Sequence, residues 1–196
     1  MSREYYQNEF VRARMIEFLG GVFLHQATCA YVLGCAPEAN APEADSHPAA
    51  VHPDAVTQLL TNGCDVSRSL WDRRSLIAHI DIEYVNFDYP GEAYLHPQRI
   101  FAKQRPVVNS IQQHLLRMGI SPLHMITGRG HHFVWSIDRT SNAFHRLVEI
   151  GTVPETLQGR YDQVHPPRQE CVDPELARAF AGLGCLMEYL GHRVKK

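Results

Sequence analysis

The sequence predicts an α+β fold in which a mostly antiparallel sheet carries helices packed on one face. Two stretches predict the sheet. Leu76–Asp88, LIAHIDIEYVNFD, is rich in β-branched and aromatic residues, which favour strands. In Pro122–Asp138, PLHMITGRGHHFVWSID, two apolar segments flank Thr127-Gly128-Arg129-Gly130, a pattern typical of strand, tight turn and strand. Segments with helical periodicity elsewhere in the chain supply the helices.

Length and composition indicate a globular protein. The 196 residues, 44% of them hydrophobic, are enough for a real core, and we expect one domain over residues 1–196. The formal net charge of −2 gives no overall basic signal, so any nucleic-acid surface must be a local patch. Five cysteines without C-x-x-C spacing favour a reducing, cytoplasmic location. No apolar run reaches the roughly eighteen residues of a membrane span, so no membrane contact is expected.

The first half of the chain is predicted to alternate helices and loops. Glu4–Leu19 has apolar residues at helical spacing and predicts an amphipathic helix. Val22–Leu33 fits a strand or a short helix, and periodicity does not decide between them. Gly34–Pro53 is rich in Ala, Pro, Glu and His and predicts a mobile loop, either a solvated surface segment or an insertion near a cleft. Pro53–Leu60 predicts a short helix that ends at Asn62-Gly63.

The second half is predicted to be helical outside the two strand regions. Its elements are a helix over Gln98–Met118, a helix over Asn142–Val153, a loop over Pro154–Pro167 and a helix over Asp173–Lys196. Pro106 is expected to interrupt the first of these helices. Beyond it, an apolar stripe predicted to face the core comprises Val107, Ile111, Leu115 and Met118. Lys103 and Arg105, just before the proline, are candidates for contact with a nucleotide or template.

Asp81 and Glu83 form the first candidate site. They stand two residues apart, so on a strand both point to the same face, while Ile80 and Ile82 point to the other. Neighbouring carboxylates repel each other, and a divalent metal is a common way to satisfy such a pair. The alternative is an edge strand whose polar face lies in water. Arg68, Arg73 and Arg74 precede the strand and are candidates to neutralise the acids or to touch a phosphate backbone.

The glycine turn is the second candidate site. Its two glycines are expected to allow positive φ and close backbone approach to a ligand. Backbone N–H groups at such a turn can form an anion-binding concavity, and Arg129 adds a planar donor for phosphate oxygens. His132 opens the outgoing strand and could donate to a phosphate as well. The alternative is an ordinary hairpin with a surface arginine.

Together the two segments resemble the catalytic core of the archaeo-eukaryotic primase superfamily, which includes the primase–polymerases. The matching residues are Asp81-Ile82-Glu83 and Thr127-Gly128-Arg129-Gly130-His131-His132-Phe133-Val134-Trp135, and His132 takes the place of the family's motif histidine. The resemblance covers Leu76 to Asp138, about a third of the chain.

The resemblance implies an RRM-like core and metal-dependent, template-directed joining of NTPs or dNTPs on DNA. Asp81 and Glu83 would be catalytic and would hold Mg²⁺ or Mn²⁺. The incoming triphosphate would be gripped by Thr127, Arg129, Gly130 and His132. A helicase or another replication domain would be a partner.

The family also uses a third, later acid as a metal ligand, and this chain offers no clear match. Asp173 is assigned to the metal site, although a helix cap also explains it. Asp138 is a second candidate, and the third possibility is an acid beyond Lys196, in which case the chain is a fragment of a longer protein.

Three other functions stay open from the sequence. The first is a catalytically inactive nucleotide- or nucleic-acid-binding module of a replication or mobile-element protein. The second is an unrelated metal-dependent nuclease or phosphohydrolase built on the same acid pair, which is disfavoured because Val85 stands where nucleases of the D…E-x-K type need a lysine. The third is a structural protein without a site.

Overall fold

The computed structural model describes residues 3–21, 27–35, 50–161 and 173–194. It confirms the predicted α+β class, with two small antiparallel three-stranded sheets among these residues. The chain divides into two compact units. Unit 1 takes in Met1–Leu76 and Val153–Pro174, and unit 2 takes in Ile77–Thr152 and Glu175–Lys196.

Numbered in chain order, the helices are α1 (Arg3–Gln7), α2 (Glu9–Phe18), α3 (Val56–Thr61), α4 (Glu92–Leu95), α5 (Pro97–Arg117), α6 (Asn142–Ile150), α7 (Glu155–Tyr161) and α8 (Pro174–Val194). The strands are β1 (Val32–Cys35), β2 (Ala50–Val51), β3 (Asp65–Arg68), β4 (Ser75–Glu83), β5 (Leu123–Ile126) and β6 (Gly130–Asp138). A 3₁₀ turn over Pro53–Ala55 precedes α3.

Unit 1 is built on the sheet β2-β1-β3, in which β1 pairs antiparallel with both neighbours. Its core joins α2 and α3 to β1 through buried residues that include Leu19, Val32 and Leu60. The prediction of a single helix over Glu4–Leu19 is wrong, because the helix is interrupted at Asn8. The Asn8 side chain accepts hydrogen bonds from the N–H groups two and three residues on, which caps α2.

A buried ion pair also belongs to unit 1. Arg68 and Asp72 lie 2.6 Å apart, with side-chain exposures of 3% and 0%. The prediction that Arg68 neutralises Asp81 and Glu83 or touches a phosphate is therefore wrong, because its guanidinium is buried on Asp72. Arg73 donates to the Ala27 carbonyl at 3.0 Å. The Arg68–Asp72 ion pair and the Arg73–Ala27 hydrogen bond both join residues of unit 1.

Predictions for the N-terminal loops are tested only in part. Residues 22–26 and 36–49 lie outside the described residues, so most of the loop expected over Gly34–Pro53 does too. The ends of that range are regular structure, since Gly34 and Cys35 belong to β1 and Ala50 and Val51 to β2.

Unit 2 contains the sheet β4-β6-β5, with β6 in the middle. β5 and β6 pair antiparallel, with Leu123 opposite Val134 and Ile126 opposite His131. One face of the sheet packs on α5 and α8 in a core that joins Phe133 to Leu115 and Leu190. The helices therefore cover one face of the sheet that carries both predicted motifs.

The interruption expected at Pro106 is wrong, since α5 runs unbroken from Pro97 to Arg117. Pro106 cannot donate a backbone hydrogen bond, which weakens a helix by about 3 kcal/mol when nothing compensates. Burial on both sides of the proline holds the helix together; the buried residues are Ile100, Gln104, Val108 and Leu115. The predicted core stripe is also partly wrong, because Val107 and Met118 are 41% and 43% exposed.

Two of the remaining helices begin at or next to their predicted first residues. The Ser141 hydroxyl accepts from the Phe144 N–H at 3.2 Å and begins α6. α8 begins at Pro174, one residue after the predicted start at Asp173, and proline is favoured at a first helical position. The loop predicted over Pro154–Pro167 is wrong at its start, which forms α7, and residues 162–167 lie outside the described residues. Within the described part of the chain, every helix is too short or too polar to cross a membrane.

Candidate functional site

Asp81 and Glu83 lie on the face of β4 that points away from the helices. Their side chains are 46% and 32% exposed. Ile80 and Ile82, the alternate residues, pack against the core instead. The two-residue period of a strand thus separates acids from apolar residues as the sequence predicts. The strand ends at Glu83, so its predicted extension to Asp88 is wrong.

The glycine turn is a closed hairpin. The Thr127 N–H donates to the Gly130 carbonyl at 2.9 Å, and the Gly130 N–H donates to the Thr127 hydroxyl at 3.0 Å. The Gly130 N–H is therefore used within the turn and cannot contribute to the expected anion-binding concavity. The predicted positive φ is also wrong, because Gly128 and Gly130 are not among the described glycines with positive φ.

Gly130 is required for a different reason. A Cβ atom at this position would lie 1.8 Å from the carbonyl oxygen of Ile82 on the neighbouring strand. Only glycine lets β4 and β6 approach this closely, and that approach places Asp81 and Glu83 beside the turn.

Substituting Gly130 by Ala is expected to lower the free energy of unfolding by about 1–3 kcal/mol, the usual penalty of overpacking. The added methyl group would push β4 and β6 apart. Gly184→Ala in α8 is the matched control, because a Cβ there meets nothing within 4 Å. Alanine in a helix is favoured over glycine by roughly 0.5–1 kcal/mol, so the control should gain stability. Urea denaturation followed by circular dichroism measures the free energy of unfolding of both variants. A Gly130→Ala variant as stable as the wild type would contradict the close approach of β4 and β6.

His132 links Asp81 to a histidine that the sequence reading missed. Its Nε2 lies 3.2 Å from Asp81 Oδ1, and its Nδ1 lies 2.9 Å from His79 Nε2. The two rings share one hydrogen bond, in which one histidine donates and the other accepts according to its tautomer. Partial desolvation, and next the neighbouring His132, lower the pKa of His79, while Asp81 opposes the shift. His79 could have been predicted, since it stands two residues before Asp81 on the same strand face.

Arg129 holds Glu83 and fixes the turn to the sheet. Its Nη2 lies 3.0 Å from both carboxylate oxygens of Glu83. Its carbonyl accepts from the Tyr84 N–H at 3.1 Å and from Gln104 Nε2 at 2.9 Å. Arg129 thus supplies Glu83 with the counter-charge for which a metal was predicted, and His132 contacts Asp81 at 3.2 Å.

The donor set for a metal is incomplete among the described residues. Asp81 and Glu83 offer oxygen ligands of the kind that Mg²⁺ and Mn²⁺ prefer, on one solvent-facing surface. Nowhere in the described part of the chain do three or more His, Cys, Asp or Glu side chains form a group able to hold a metal ion. Binding an ion here would require Arg129 and His132 to release the acids.

The candidate third acids are not brought to the pair within unit 2. Asp138 lies six residues beyond His132 on β6, a span of about 20 Å on a strand, which is too far for a shared ion. It accepts from the Thr140 N–H at 2.7 Å and from the Thr140 hydroxyl at 2.6 Å. Asp173 directly precedes α8 and belongs to unit 1, whereas Asp81 and Glu83 belong to unit 2.

His131 points to the helix side, behind the turn. It is 8% exposed, its Nδ1 lies 2.9 Å from His124 Nε2, and its ring meets Phe101 edge-on at 5.1 Å. Its Nε2 and the Oε1 of Gln104 are buried without a hydrogen-bond partner among the described residues. Burial, and next the neighbouring His124, lower the pKa of His131.

The stability of the protein is expected to fall as the pH drops below the ordinary histidine pKa of 6.5, in part because of His131. Its pKa is lower in the folded chain, so the unfolded chain binds the proton first. The contribution is complete above 6.5 and is lost as the pH falls through the folded pKa. Urea denaturation at a series of pH values measures the free energy of unfolding. It should fall less steeply with decreasing pH for His131→Gln than for the wild type, and the same pH dependence in both proteins would contradict this.

Comparison of the chain with protein-family models, with curated proteins and with solved structures gives no match. Its function is therefore inferred from the arrangement of its own residues.

Proposed function

We propose that the chain is a nucleotidyltransferase of the primase–polymerase kind, which joins NTPs or dNTPs on a DNA template with Mg²⁺ or Mn²⁺. One observation carries the proposal. Two segments about fifty residues apart in sequence bring acids and their partners together on one exposed sheet face. His132 contacts Asp81 at 3.2 Å, and Arg129 contacts Glu83 at 3.0 Å.

The order of elements in unit 2 also supports the proposal. Apart from the four-residue helix α4 between β4 and α5, the order is β4, α5, β5, β6 and α6, and β6 lies between the other two strands. This is the order of the first five elements of a β-α-β-β-α-β unit, which an RRM-like core would have. The acids and His132 lie on the sheet face away from the helices, where the Asp81 side chain is 46% exposed.

Asp81 and Glu83 would hold the metal ions. A bound ion would activate the attacking 3′-hydroxyl and stabilise charge on the α-phosphoryl group and on the departing pyrophosphate. Arg129, released from Glu83, would grip phosphate oxygens with its planar donors. His132 would donate from the nitrogen that now faces Asp81. Thr127 and Gly130 close the turn and so hold Arg129 and His132 in position.

A second candidate keeps the fold without catalysis. The chain would then bind nucleotides or nucleic acid within a replication or mobile-element protein. Its specific support is that Arg129 and His132 already satisfy both acids, and that no third acid of unit 2 joins them among the described residues. In this case Arg129 would still be the phosphate contact, but no ion would be needed.

A template-copying assay tests the first proposal against the second. The purified chain is incubated with a single-stranded DNA template, labelled NTPs or dNTPs, and Mg²⁺ or Mn²⁺. Product that forms with the metal and disappears with a chelator supports a nucleotidyltransferase. Binding of the labelled nucleotide without incorporation, on templates with and without a primer, would instead assign the binding module. Neither binding nor incorporation would reject both.

A further inference from the structure

The connection between β4 and α5 exposes a set of apolar side chains. We name Tyr84–Leu95 the aromatic loop; it includes α4. Its exposed members are Val85 (58%), Phe87 (92%), Tyr89 (46%), Tyr94 (63%) and Leu95 (62%). Phe87 is the most exposed large apolar side chain in the described part of the protein. A group of exposed rings on one segment is typical of a binding surface.

Glu92, which is only 5% exposed, stabilises the conformation of the aromatic loop through hydrogen bonds. Glu92 Oε2 accepts from the Tyr84 hydroxyl at 2.6 Å and from Asn86 Nδ2 at 2.7 Å. Asn86 Oδ1 in turn accepts from the backbone N–H groups of Asp88 and Tyr89 at 3.1 and 3.2 Å. The exposed rings are therefore presented by an ordered scaffold, which reduces the entropy lost on binding.

Both ends of the aromatic loop lie against the glycine turn. At the start of the loop, the Tyr84 N–H donates to the Arg129 carbonyl at 3.1 Å. At the other end, the Tyr94 ring lies against Gly128, where an added Cβ would be 3.1 Å from Tyr94 Cε1. A ligand on the aromatic loop would thus lie beside Arg129 and the candidate site.

Two cationic side chains contact residues of the aromatic loop. Arg99 is 64% exposed, and its Nη1 lies 3.5 Å from Glu92 Oε1. The Lys103 ammonium lies 5.3 Å from the centre of the Tyr84 ring. Glu92 carries one negative charge against these two cations, so its pairing with Arg99 leaves one positive charge among the three side chains. Rings for stacking next to cations for phosphates are the two requirements of a single-stranded nucleic-acid site.

We propose that the aromatic loop binds single-stranded nucleic acid, with bases stacked on Phe87, Tyr89 and Tyr94 and phosphates on Arg99 and Lys103. A duplex would hide the base faces that the rings need, and a purely apolar protein partner would gain nothing from the cations. The loop's binding of a strand is independent of catalysis, but identifying that strand as the template rests on the proposed function.

Fluorescence anisotropy with a labelled oligodeoxythymidylate tests the proposal on the full chain, in chelator and without nucleotides. The wild type binds the single strand more tightly than a labelled duplex. Phe87→Ala is expected to weaken binding about 5- to 150-fold, the range for loss of a stacking ring. Phe87→Tyr keeps the ring and the affinity. Phe87→Leu keeps the apolar surface but loses the ring, so it should bind nearly as weakly as Phe87→Ala.

The control is Phe10→Ala, which removes an equally exposed ring, 84% accessible, from α2 in unit 1 and should leave binding unchanged. The proposal is overturned if the wild type does not bind the single strand, or if Phe87→Ala binds as well as the wild type. Full affinity in Phe87→Leu would point to an apolar protein partner instead. The anisotropy assay contains no metal or nucleotide, so it tests the aromatic loop separately from catalysis. Strand binding that depends on Phe87, together with no incorporation in the template-copying assay, would reject the proposed function alone. Incorporation by the wild type, with strand binding that does not depend on Phe87, would reject only the proposal that the aromatic loop binds the strand.

Discussion

Replacing Asp81 by Asn together with Glu83 by Gln is expected to reduce nucleotide incorporation at least about a thousandfold. Metal ions contribute several kcal/mol to transition-state stabilisation in phosphoryl transfer, and each 1.36 kcal/mol is a factor of about ten in rate. The amides keep the size of the side chains but bind a divalent ion poorly. The fold should survive, because both acids face solvent and exposed ion pairs contribute only about 0–1 kcal/mol each.

The same double variant separates binding from catalysis. Without Glu83, Arg129 loses its internal partner and becomes available to phosphate oxygens. Metal-free binding of a triphosphate should therefore be retained or tightened while incorporation is lost. Isothermal titration with a non-hydrolysable nucleotide measures the first quantity, and the template-copying assay measures the second.

The matched control is Glu149→Gln with Glu188→Gln, which changes the net charge equally on exposed positions of α6 and α8. This control should incorporate nucleotides at the wild-type rate. Undiminished incorporation by the Asp81, Glu83 double variant would remove both residues from the catalytic site. A rate loss shared equally by the control would trace the effect to overall charge.

Local sequence information predicts the strand faces on which the residues of the candidate site lie. Strand alternation alone places Asp81 and Glu83 on one face and the intervening Ile82 on the other. The same alternation separates His132, which meets Asp81, from His131, which is buried against the helix side. The pairing of two segments fifty residues apart came from the resemblance, since no local pattern gives that distance.

Other features depend on tertiary contacts that no local pattern reveals. A glycine in a turn predicts positive φ, but Gly130 is needed because Ile82 comes close from another strand. A proline in a helix predicts a break, but α5 continues because its buried face holds it in place. Gln104 could not have been assigned to the site, because its bond to the Arg129 carbonyl joins two elements across twenty-five residues.

Asp72→Asn is expected to lower the free energy of unfolding by about 3–5 kcal/mol, the usual effect of stranding one member of a buried ion pair. Asp72 Oδ2 accepts from Arg68 Nη2 and from the Thr28 hydroxyl, each at 2.6 Å. Its Oδ1 accepts from the N–H groups of Arg74 and Ser75, each at 2.9 Å. An amide in this position turns one acceptor into a donor that faces other donors, and it leaves the buried guanidinium uncompensated.

The control uses an ion pair of the same chemistry in the same unit. Arg14 and Glu17 are bonded on the surface of α2, with side-chain exposures of 56% and 58%. Glu17→Gln is expected to change the free energy of unfolding by about 0–1 kcal/mol, because water replaces the lost contact. Chemical denaturation of both variants, followed by circular dichroism, gives the comparison. Equal effects of Asp72→Asn and Glu17→Gln would contradict the burial of the Arg68–Asp72 pair.

Arg68→Met should lower the free energy of unfolding by an amount between those of Asp72→Asn and Glu17→Gln. The reason is that Arg68 and Asp72 keep different hydrogen-bond partners when the other is replaced. With Arg68 removed, Asp72 still accepts from the Thr28 hydroxyl and from two backbone N–H groups. With the Asp72 charge removed, Arg68 keeps only carbonyl acceptors, on Ser69 at 2.9 Å and on Phe18 at 2.5 Å, and neither carries a negative charge. A stranded cation is therefore less well compensated than a stranded carboxylate at this site. The expected order of destabilisation is Asp72→Asn, then Arg68→Met, then Glu17→Gln, and a larger loss for Arg68→Met than for Asp72→Asn would show that hydrogen bonding, not charge, dominates the network.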